Sequence, residues 1–242
     1  MADRNQLDAG FPQDATCKME RKNSGERGIL VAQPSTSSLP LESKFADPSP
    51  LGLSAFALTT FVLSLINLGA RGLNQPNIVV GAAFAYGGLV QLLAGMWEMA
   101  KGNTFGATAF SSFAGFWISI GITFTPGGFE IVQTLTENSP SPFYNSIGIF
   151  FMGWFIFTFI LVVASLRSTL ASLLLFSLLD LAFLLLAIAY LLGDGNASPN
   201  TACLRAGGAF GILSAFAAWY IALAGLLESS KSYFKLPVIP LA

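Results

Sequence analysis

Residues 169–192 read TLASLLLFSLLDLAFLLLAIAYLL, a run in which Asp180 is the only charged side chain. An α-helix needs about 20 consecutive apolar residues to cross the hydrocarbon core of a bilayer. A membrane-spanning β-strand would instead alternate apolar and polar positions, and this run does not. The run therefore predicts a membrane-spanning helix.

Five further apolar runs of similar length follow the same pattern elsewhere in the chain. Of the 242 residues, 53% are hydrophobic and 10% are charged, whereas a soluble domain carries about 25% charged residues. We therefore predict an all-α fold, a bundle of six transmembrane helices surrounded by the lipid bilayer. The five further runs lie at residues 51–70, 77–100, 104–126, 144–166 and 203–227.

The segments at the two ends differ from the membrane domain in composition. Residues 1–47 are rich in Ser, Pro and charged side chains, which predicts a disordered N-terminal tail. Residues 48–228 form the predicted membrane domain, and residues 229–242 form a short C-terminal tail. Six spans place both tails on one side, and that side carries most of the lysines and arginines. The positive-inside rule then predicts that both termini are cytoplasmic.

Several classes of function lack the residues that they need. The chain contains no histidine, which excludes histidine as a general acid or base, as a metal ligand and as a proton relay. It has no hydrolase nucleophile motif, phosphate-binding loop or zinc-ligand spacing. We therefore expect no enzyme activity, no metal and no cofactor. The net charge of −1 gives no reason to expect a nucleic-acid partner.

Polar side chains inside the predicted helices are candidates for a substrate path, since an unpaired polar group in hydrocarbon costs free energy. At helical spacing they form one weakly polar stripe on each of the first three helices. Such stripes either line a narrow path or let helices pack closely and bond to one another. The path candidates are Thr60, Asn67, Gln91, Glu98 and Thr108.

Two carboxylates in the helices have competing explanations. Glu98 lies three residues before Lys101, so it either lines the path or forms a salt bridge at the membrane interface. Asp180 lies near the centre of the fifth span, where inserting a carboxylate costs roughly 2.5–3.5 kcal/mol. Asp180 is either a proton-coupling site or a packing site that hydrogen-bonds to a neighbouring helix or subunit.

Two segments resemble one known family. Residues 47–53, DPSPLGL, resemble the Asn-Pro-x-Pro-Leu-Gly-Leu signature of the acetate uptake transporter family, which includes succinate–acetate permeases and their fungal relatives. Asp47 replaces the usual Asn. The second segment runs through residues 87–110 and ends in KGNTFGATAF. The matching signature positions are Pro48, Pro50, Leu51, Gly52 and Leu53.

The resemblance implies a six-span subunit that assembles into a homo-hexamer in the plasma membrane, with one path per subunit. It also implies proton-linked transport of acetate and related small monocarboxylates, with succinate as a substrate of some members. By local matching, the hydrophobic constriction of this family falls on Phe56, Phe113 and Leu178, and Phe113 stands where the family has Tyr.

Two other functions remain as alternatives. A channel or exporter for another small solute, such as ammonia or ammonium, would use the same polar stripes. A membrane sensor or scaffold would signal through the N-terminal tail, and its membrane domain would carry negligible flux. Competition between solutes and removal of the tail would separate these alternatives from acetate transport.

Overall fold

The computed structural model describes residues 45–73, 75–193, 198–227 and 233–241. Within these ranges, six α-helical spans are long and apolar enough to cross a membrane, and their bounds agree with the predicted runs to within three residues. The all-α six-helix fold is therefore confirmed. Residues 1–44 of the predicted N-terminal tail, and residues 229–232 and 242 of the C-terminal one, lie outside the described residues.

Eight α-helices form the described part of the chain. A π-helical turn at Ala85–Val90 joins α2 and α3 into one span. The short α5 lies in the break before α6, where hydropathy did not indicate a helix. In chain order the helices are α1 Ser49–Leu68, α2 Asn77–Phe84, α3 Gln91–Ala100, α4 Thr104–Phe124, α5 Ile131–Thr136, α6 Ser141–Ser165, α7 Leu170–Leu191 and α8 Thr201–Leu226.

The helix ends follow from local sequence. Asn103, Thr169 and Asn200 precede α4, α7 and α8, and each side chain accepts a hydrogen bond from the backbone N–H three residues later. α1 begins among prolines, which suit a first turn because their missing N–H has no helical partner there. α1 ends at Gly69, whose φ of 78° is the left-handed conformation that favours glycine.

The first and last spans pack closely because glycines of α8 face α1. A Cβ atom at Gly208 would lie 2.7 Å from the Ser64 carbonyl oxygen and 2.8 Å from the Leu68 nitrogen. At the other end of the same contact, a Cβ at Gly225 would lie 2.9 Å from Pro50 Cγ. The beginning of α1 and the end of α8 therefore lie at the same end of the bundle.

A buried carboxylate, Glu98, joins the ends of three helices. The Ser49 hydroxyl at the start of α1 lies 2.5 Å from Glu98 Oε1, and Asn103 Nδ2 donates to Glu98 Oε2 at 2.7 Å. A Cβ at Gly106 would lie 2.6 Å from Asn103 Nδ2, so glycine at this position leaves room for the amide. Glu98 on α3 thus holds α1 and α4 in place.

Lys101 forms a salt bridge with Asp47. The prediction that Lys101 pairs with Glu98 at the membrane interface, one of the two explanations for Glu98, is therefore wrong. Lys101 Nζ lies 2.8 Å from Asp47 Oδ1. Burial raises the pKa of Asp47, but hydrogen bonds from Lys101 and Ser49 outweigh burial and hold that pKa below its ordinary value. The ion pair therefore stabilises the fold at neutral pH, and this contribution is lost as the pH falls through the lowered pKa.

Gly208→Ala should lower the temperature of thermal unfolding in detergent, because its methyl group meets backbone atoms of α1. Overpacking of this kind costs about 1–3 kcal/mol. The matched control is Gly153→Ala in α6, whose Cβ position has no atom within 4 Å. The control should unfold at the wild-type temperature or slightly above it, because alanine favours helix. Equal unfolding temperatures for the two variants would contradict the close contact.

Glu98→Ala should destabilise the protein by about 1–3 kcal/mol, because two donors lose their acceptor. Glu98→Gln should cost less, since its carbonyl accepts from Asn103 and its amide donates to the Ser49 oxygen. Glu137→Ala, at an exposed position, is the control. Thermal unfolding of the three variants measures the order, and a Glu98→Ala protein as stable as the control would disprove the role of this carboxylate.

Candidate transport path

Three cavities follow one another through the bundle and share walls. The vestibule has a volume of about 440 Å³ and opens where α4 and α7 begin. The middle cavity, about 20 Å³, shares Leu53, Phe110 and Phe176 with the vestibule. The distal cavity, about 30 Å³, shares Phe56 and Phe113 with the middle one. Since a water molecule needs roughly 10–15 Å³ on this scale, the two inner cavities admit only small, largely dehydrated solutes.

The vestibule is largely apolar, but several polar side chains and one positive charge also line it. Among the described residues that line the vestibule, Arg167 is the one charged residue. Asn103 and Ser172 also line the vestibule, where α4 and α7 begin. Helix N-termini carry partial positive charge and free N–H groups, which favour an anion. Arg167 is one of the basic residues that predicted the orientation of the spans, but it was not predicted as a site residue.

Two aromatic rings separate the middle cavity from the distal one. The ring centroids of Phe56 and Phe113 lie 5.7 Å apart, and both side chains are buried. The third apolar wall is Leu179, not Leu178 as local matching suggested: Leu179 lines the distal cavity, and Leu178 lines none of the three. Adjacent helical residues point about 100° apart, so a shift of one position in this leucine-rich run selects a different face.

Gln91 lines the middle cavity, and its buried side-chain amide is unpaired. The residue is 0% exposed, and neither Nε2 nor Oε1 has a hydrogen-bond partner among the described residues. It follows directly on the π-helical turn that joins α2 and α3, and such turns are frequent at functional sites. A buried amide without a partner costs free energy, and a polar solute in the cavity would recover that cost.

The distal cavity has further polar groups on its walls. The stripe predicted on the first helix lies here, with Thr60 and Asn67 on the same side as Phe56. Thr60 Oγ1 and the indole nitrogen of Trp117 are buried and have no hydrogen-bond partner in the described part of the chain. Sequence analysis missed Trp117, although its spacing of four residues from Phe113 places both on one face of α4.

Thr108 and Glu98, two of the predicted path residues, do not line these cavities. Thr108 lies on the exposed face of α4. Further along the same predicted stripe, the Ser119 and Thr123 hydroxyls donate to carbonyls one turn earlier in their own helix, at 2.8 Å each. A hydroxyl that bonds to its own helix in this way does not need a solute as its hydrogen-bond partner. Glu98 is instead occupied by Ser49 and Asn103.

Asp180 is buried beside the path but does not line it. Its neighbour Leu179 faces the distal cavity, whereas Asp180 lines none of the three cavities. Asp180 Oδ1 has no hydrogen-bond partner among the described residues, so its role in proton coupling or packing stays a prediction. Within the same residues, no group of three or more His, Cys, Asp or Glu could hold a metal ion.

The signature segment fixes where α1 enters the bundle. A Cβ at Gly52 would lie 2.8 Å from the Phe110 ring, so only glycine lets that ring approach. Leu53 lines both the vestibule and the middle cavity, whereas Leu51 is exposed on the outer face. Pro48 and Pro50 are buried at the first turn of the helix.

Comparison with known proteins places this architecture in one family. The sequence pattern of the GPR1/FUN34/yaaH family matches residues 31–242. Acetate permease A of Emericella nidulans is 64% identical over 197 residues, which cover 81% of this chain and 66% of that protein. Ammonia transport outward protein 2 of Saccharomyces cerevisiae is 49% identical over 78% of this chain and 64% of its own length. The chain thus spans just under two thirds of the length of these two relatives.

A bacterial relative and a solved structure match over nearly their whole length. The succinate-acetate/proton symporter SatP of Escherichia coli is 32% identical over 81% of this chain and 96% of its own. The structure of the bacterial acetate channel SatP superposes with a TM-score of 0.68 at 30% identity, covering 81% of this chain and 99% of that one. The chain therefore belongs to the GPR1/FUN34/yaaH family.

Proposed function

We propose that this chain carries acetate and related small monocarboxylates across a membrane, through the vestibule and the two narrow cavities of a single subunit. The observation that carries the proposal is the unpaired amide of Gln91, a buried residue that lines the smallest of the three adjoining cavities. The names of the Emericella and Escherichia relatives support acetate as the solute. This function is transport and requires no enzyme activity and no cofactor.

The vestibule would collect the anion. Arg167 and the N-termini of α4 and α7 attract a carboxylate there, while the exposed position of Arg167 keeps the attraction weak enough for release. Among the described residues, no lysine or arginine lines the middle or distal cavity, so the anion meets no tight cationic site on its way.

The ring pair of Phe56 and Phe113, with Leu179, would select the solute. A cavity of about 30 Å³ between apolar side chains would exclude a hydrated inorganic ion, and it would admit a small carboxylate only after the carboxylate has shed its water. Gln91 on one side and Thr60 and Asn67 on the other offer neutral hydrogen bonds that offset the lost hydration. Protonated acetic acid would pass most easily, which is the basis for proposing proton-linked transport.

The proposal also covers the orientation of the path in the membrane, the bounds of the membrane domain and the assembly of subunits. Lys101, Arg167 and Lys235 lie at the end of the bundle where α1 begins, and the positive-inside rule predicts that this end is cytoplasmic. The membrane domain at residues 48–228 would carry the transport, with cytoplasmic tails at residues 1–47 and 229–242. We further propose a homo-hexamer in the plasma membrane with one path per subunit.

Ammonia or ammonium is the second candidate solute, favoured by the relative named Ammonia transport outward protein 2. An amide such as Gln91 can both donate and accept hydrogen bonds, so it suits either solute. The positive vestibule favours the carboxylate, because a cation gains nothing from Arg167 or from helix N-termini.

Purified protein in liposomes should take up labelled acetate, faster with an inward proton gradient, and Phe56→Trp should reduce the flux at least about tenfold. The larger indole fills a passage of about 30 Å³. Phe216→Trp, at an exposed position on α8, is the matched control and should transport normally. A folded wild-type protein that carries no more acetate than empty liposomes, or carries methylammonium and not acetate, would contradict the proposal.

Arg167→Gln should raise the KM for acetate a few-fold when acetate is supplied on the vestibule side, with little change in maximal flux. The effect should shrink as salt is added, because exposed charges are screened over about 10 Å at 0.1 M ionic strength. Arg71→Gln, an exposed arginine at the other end of the bundle, controls for the loss of one charge. An unchanged KM at low salt would exclude Arg167 as the collecting cation.

A further inference from the structure

One serine hydroxyl lies between two carboxyl groups, where α1 begins beside the end of α3. Ser49 Oγ lies 2.9 Å from Asp47 Oδ1 and 2.5 Å from Glu98 Oε1. Both distances are those of O–H···O hydrogen bonds. A hydroxyl carries a single hydrogen and an ionised carboxylate carries none, so Ser49 can donate to only one of the two groups. A second hydrogen is needed to make both bonds.

The contacts of Asp47 indicate which of the two acids is ionised. Asp47 Oδ1 also accepts from Lys101 Nζ at 2.8 Å and from the Ser49 backbone N–H at 3.3 Å. Burial raises the pKa of Asp47, but these hydrogen bonds outweigh burial and hold that pKa below its ordinary value. Asp47 is therefore the charged partner of Lys101, and the hydrogen of the Ser49 hydroxyl belongs to the bond with Asp47.

Glu98 has the surroundings of a neutral acid. The residue is 1% exposed and lies near the end of a membrane-spanning helix. Its Oε2 accepts from the Asn103 amide at 2.7 Å, and no lysine or arginine among the described residues forms an ion pair with it. A buried carboxylate without a cation is costly. A protonated Glu98 can instead donate from Oε1 to the Ser49 oxygen and still accept at Oε2, so one proton completes every bond of the group.

The vestibule reaches this group through the residues that bond to Glu98. Ser49 and Asn103 both line the vestibule, whereas Glu98 lines none of the three cavities. Arg167 lines the same vestibule and would attract a carboxylate into it. Of the two intervening residues, Ser49 has the hydroxyl, and a hydroxyl can accept one proton while it gives up another. Ser49 therefore connects a buried proton to the cavity in which the solute would collect.

We propose that Glu98, bridged to Asp47 by the Ser49 hydroxyl, is a proton-binding site that exchanges its proton with a carboxylate in the vestibule. The proposal rests on the proposed acetate path and deepens it. The Oε1–H bond of Glu98 breaks as its proton moves to Ser49 Oγ, while the Ser49 hydrogen moves from its bond with Asp47 to an acetate oxygen. Glu98 is left ionised and the acetate becomes acetic acid. The reverse transfer returns the proton to Glu98 when acetic acid arrives from the narrow cavities.

The test uses the full chain in liposomes and the variant Glu98→Gln, which keeps the hydrogen bonds of the protonated acid but has no proton to exchange. The infrared spectrum at neutral pH should lose the C=O band of one protonated carboxyl group. Acetate uptake should become equal with and without an inward proton gradient, whereas the gradient should stimulate the wild type. Glu137→Gln, at an exposed position, is the control and should keep both the band and the stimulation.

Asp47→Asn tests the role of the second acid. It leaves the Ser49 hydrogen free to donate to Glu98 and leaves Lys101 without its partner, and both changes favour an ionised Glu98. The infrared band that Glu98→Gln removes should therefore be weaker in the Asp47→Asn protein at the same pH. An equally strong band would overturn the shared hydroxyl as the reason for the proton.

An infrared spectrum of the Glu98→Gln protein that matches the wild type would overturn the proton site. A lost band with an unchanged response to the gradient would overturn the exchange with the solute, since the proton would then only support the fold. If the Glu98→Gln protein does not fold, Ser49→Ala decides the exchange, because removal of the hydroxyl should abolish the gradient response. A folded wild-type protein without acetate flux would instead refute the proposed function, and the infrared band would still test the proton on Glu98.

Discussion

The buried carboxylate of Glu98 holds the beginnings of α1 and α4 together, through the Ser49 hydroxyl at one oxygen and the Asn103 amide at the other. These two helices carry the facing rings of the constriction and most of the polar groups beside it. A carboxylate inside a membrane protein is costly unless it is well bonded, so these partners fix its position. The relative placement of the two rings therefore depends on a contact whose partners, Ser49 and Asn103, line the vestibule.

The proposed path is marked by unpaired polar groups on residues that also line the cavities. The Ser119 and Thr123 hydroxyls of α4 bond to their own helix, whereas Gln91, Thr60 and Trp117, which line the inner cavities, have buried polar atoms without a hydrogen-bond partner among the described residues. In a dry passage such groups replace part of the hydration shell of a small anion. Because none of them is charged, the proposed path would bind the solute weakly enough for it to leave. This balance suits a carboxylate that crosses an apolar ring pair in one step.

Hydropathy predicted the six spans closely because lipid imposes one length and one composition on each of them. Helical spacing also predicted the polar stripe of α1 correctly. It failed for Thr108, because periodicity does not reveal which face of an apolar helix meets lipid. Local matching to the family selected Leu178 rather than Leu179, because a run of leucines offers no local signal that distinguishes one register from the next. Trp117 was missed because hydropathy treats an indole as apolar and overlooks its donor.

The central claim is that a carboxylate passes between the aromatic rings and Leu179, and thiol modification tests it most directly. In a protein whose native cysteines are replaced by serine, Leu179→Cys and Leu178→Cys would be treated with a small methanethiosulfonate reagent in liposomes. We predict that modification blocks acetate flux through the Leu179→Cys protein, that acetate slows the modification, and that the Leu178→Cys protein keeps its flux. This path would be contradicted if modification blocked acetate flux through the Leu178→Cys protein but not through the Leu179→Cys protein. It would also be contradicted if acetate did not slow the modification.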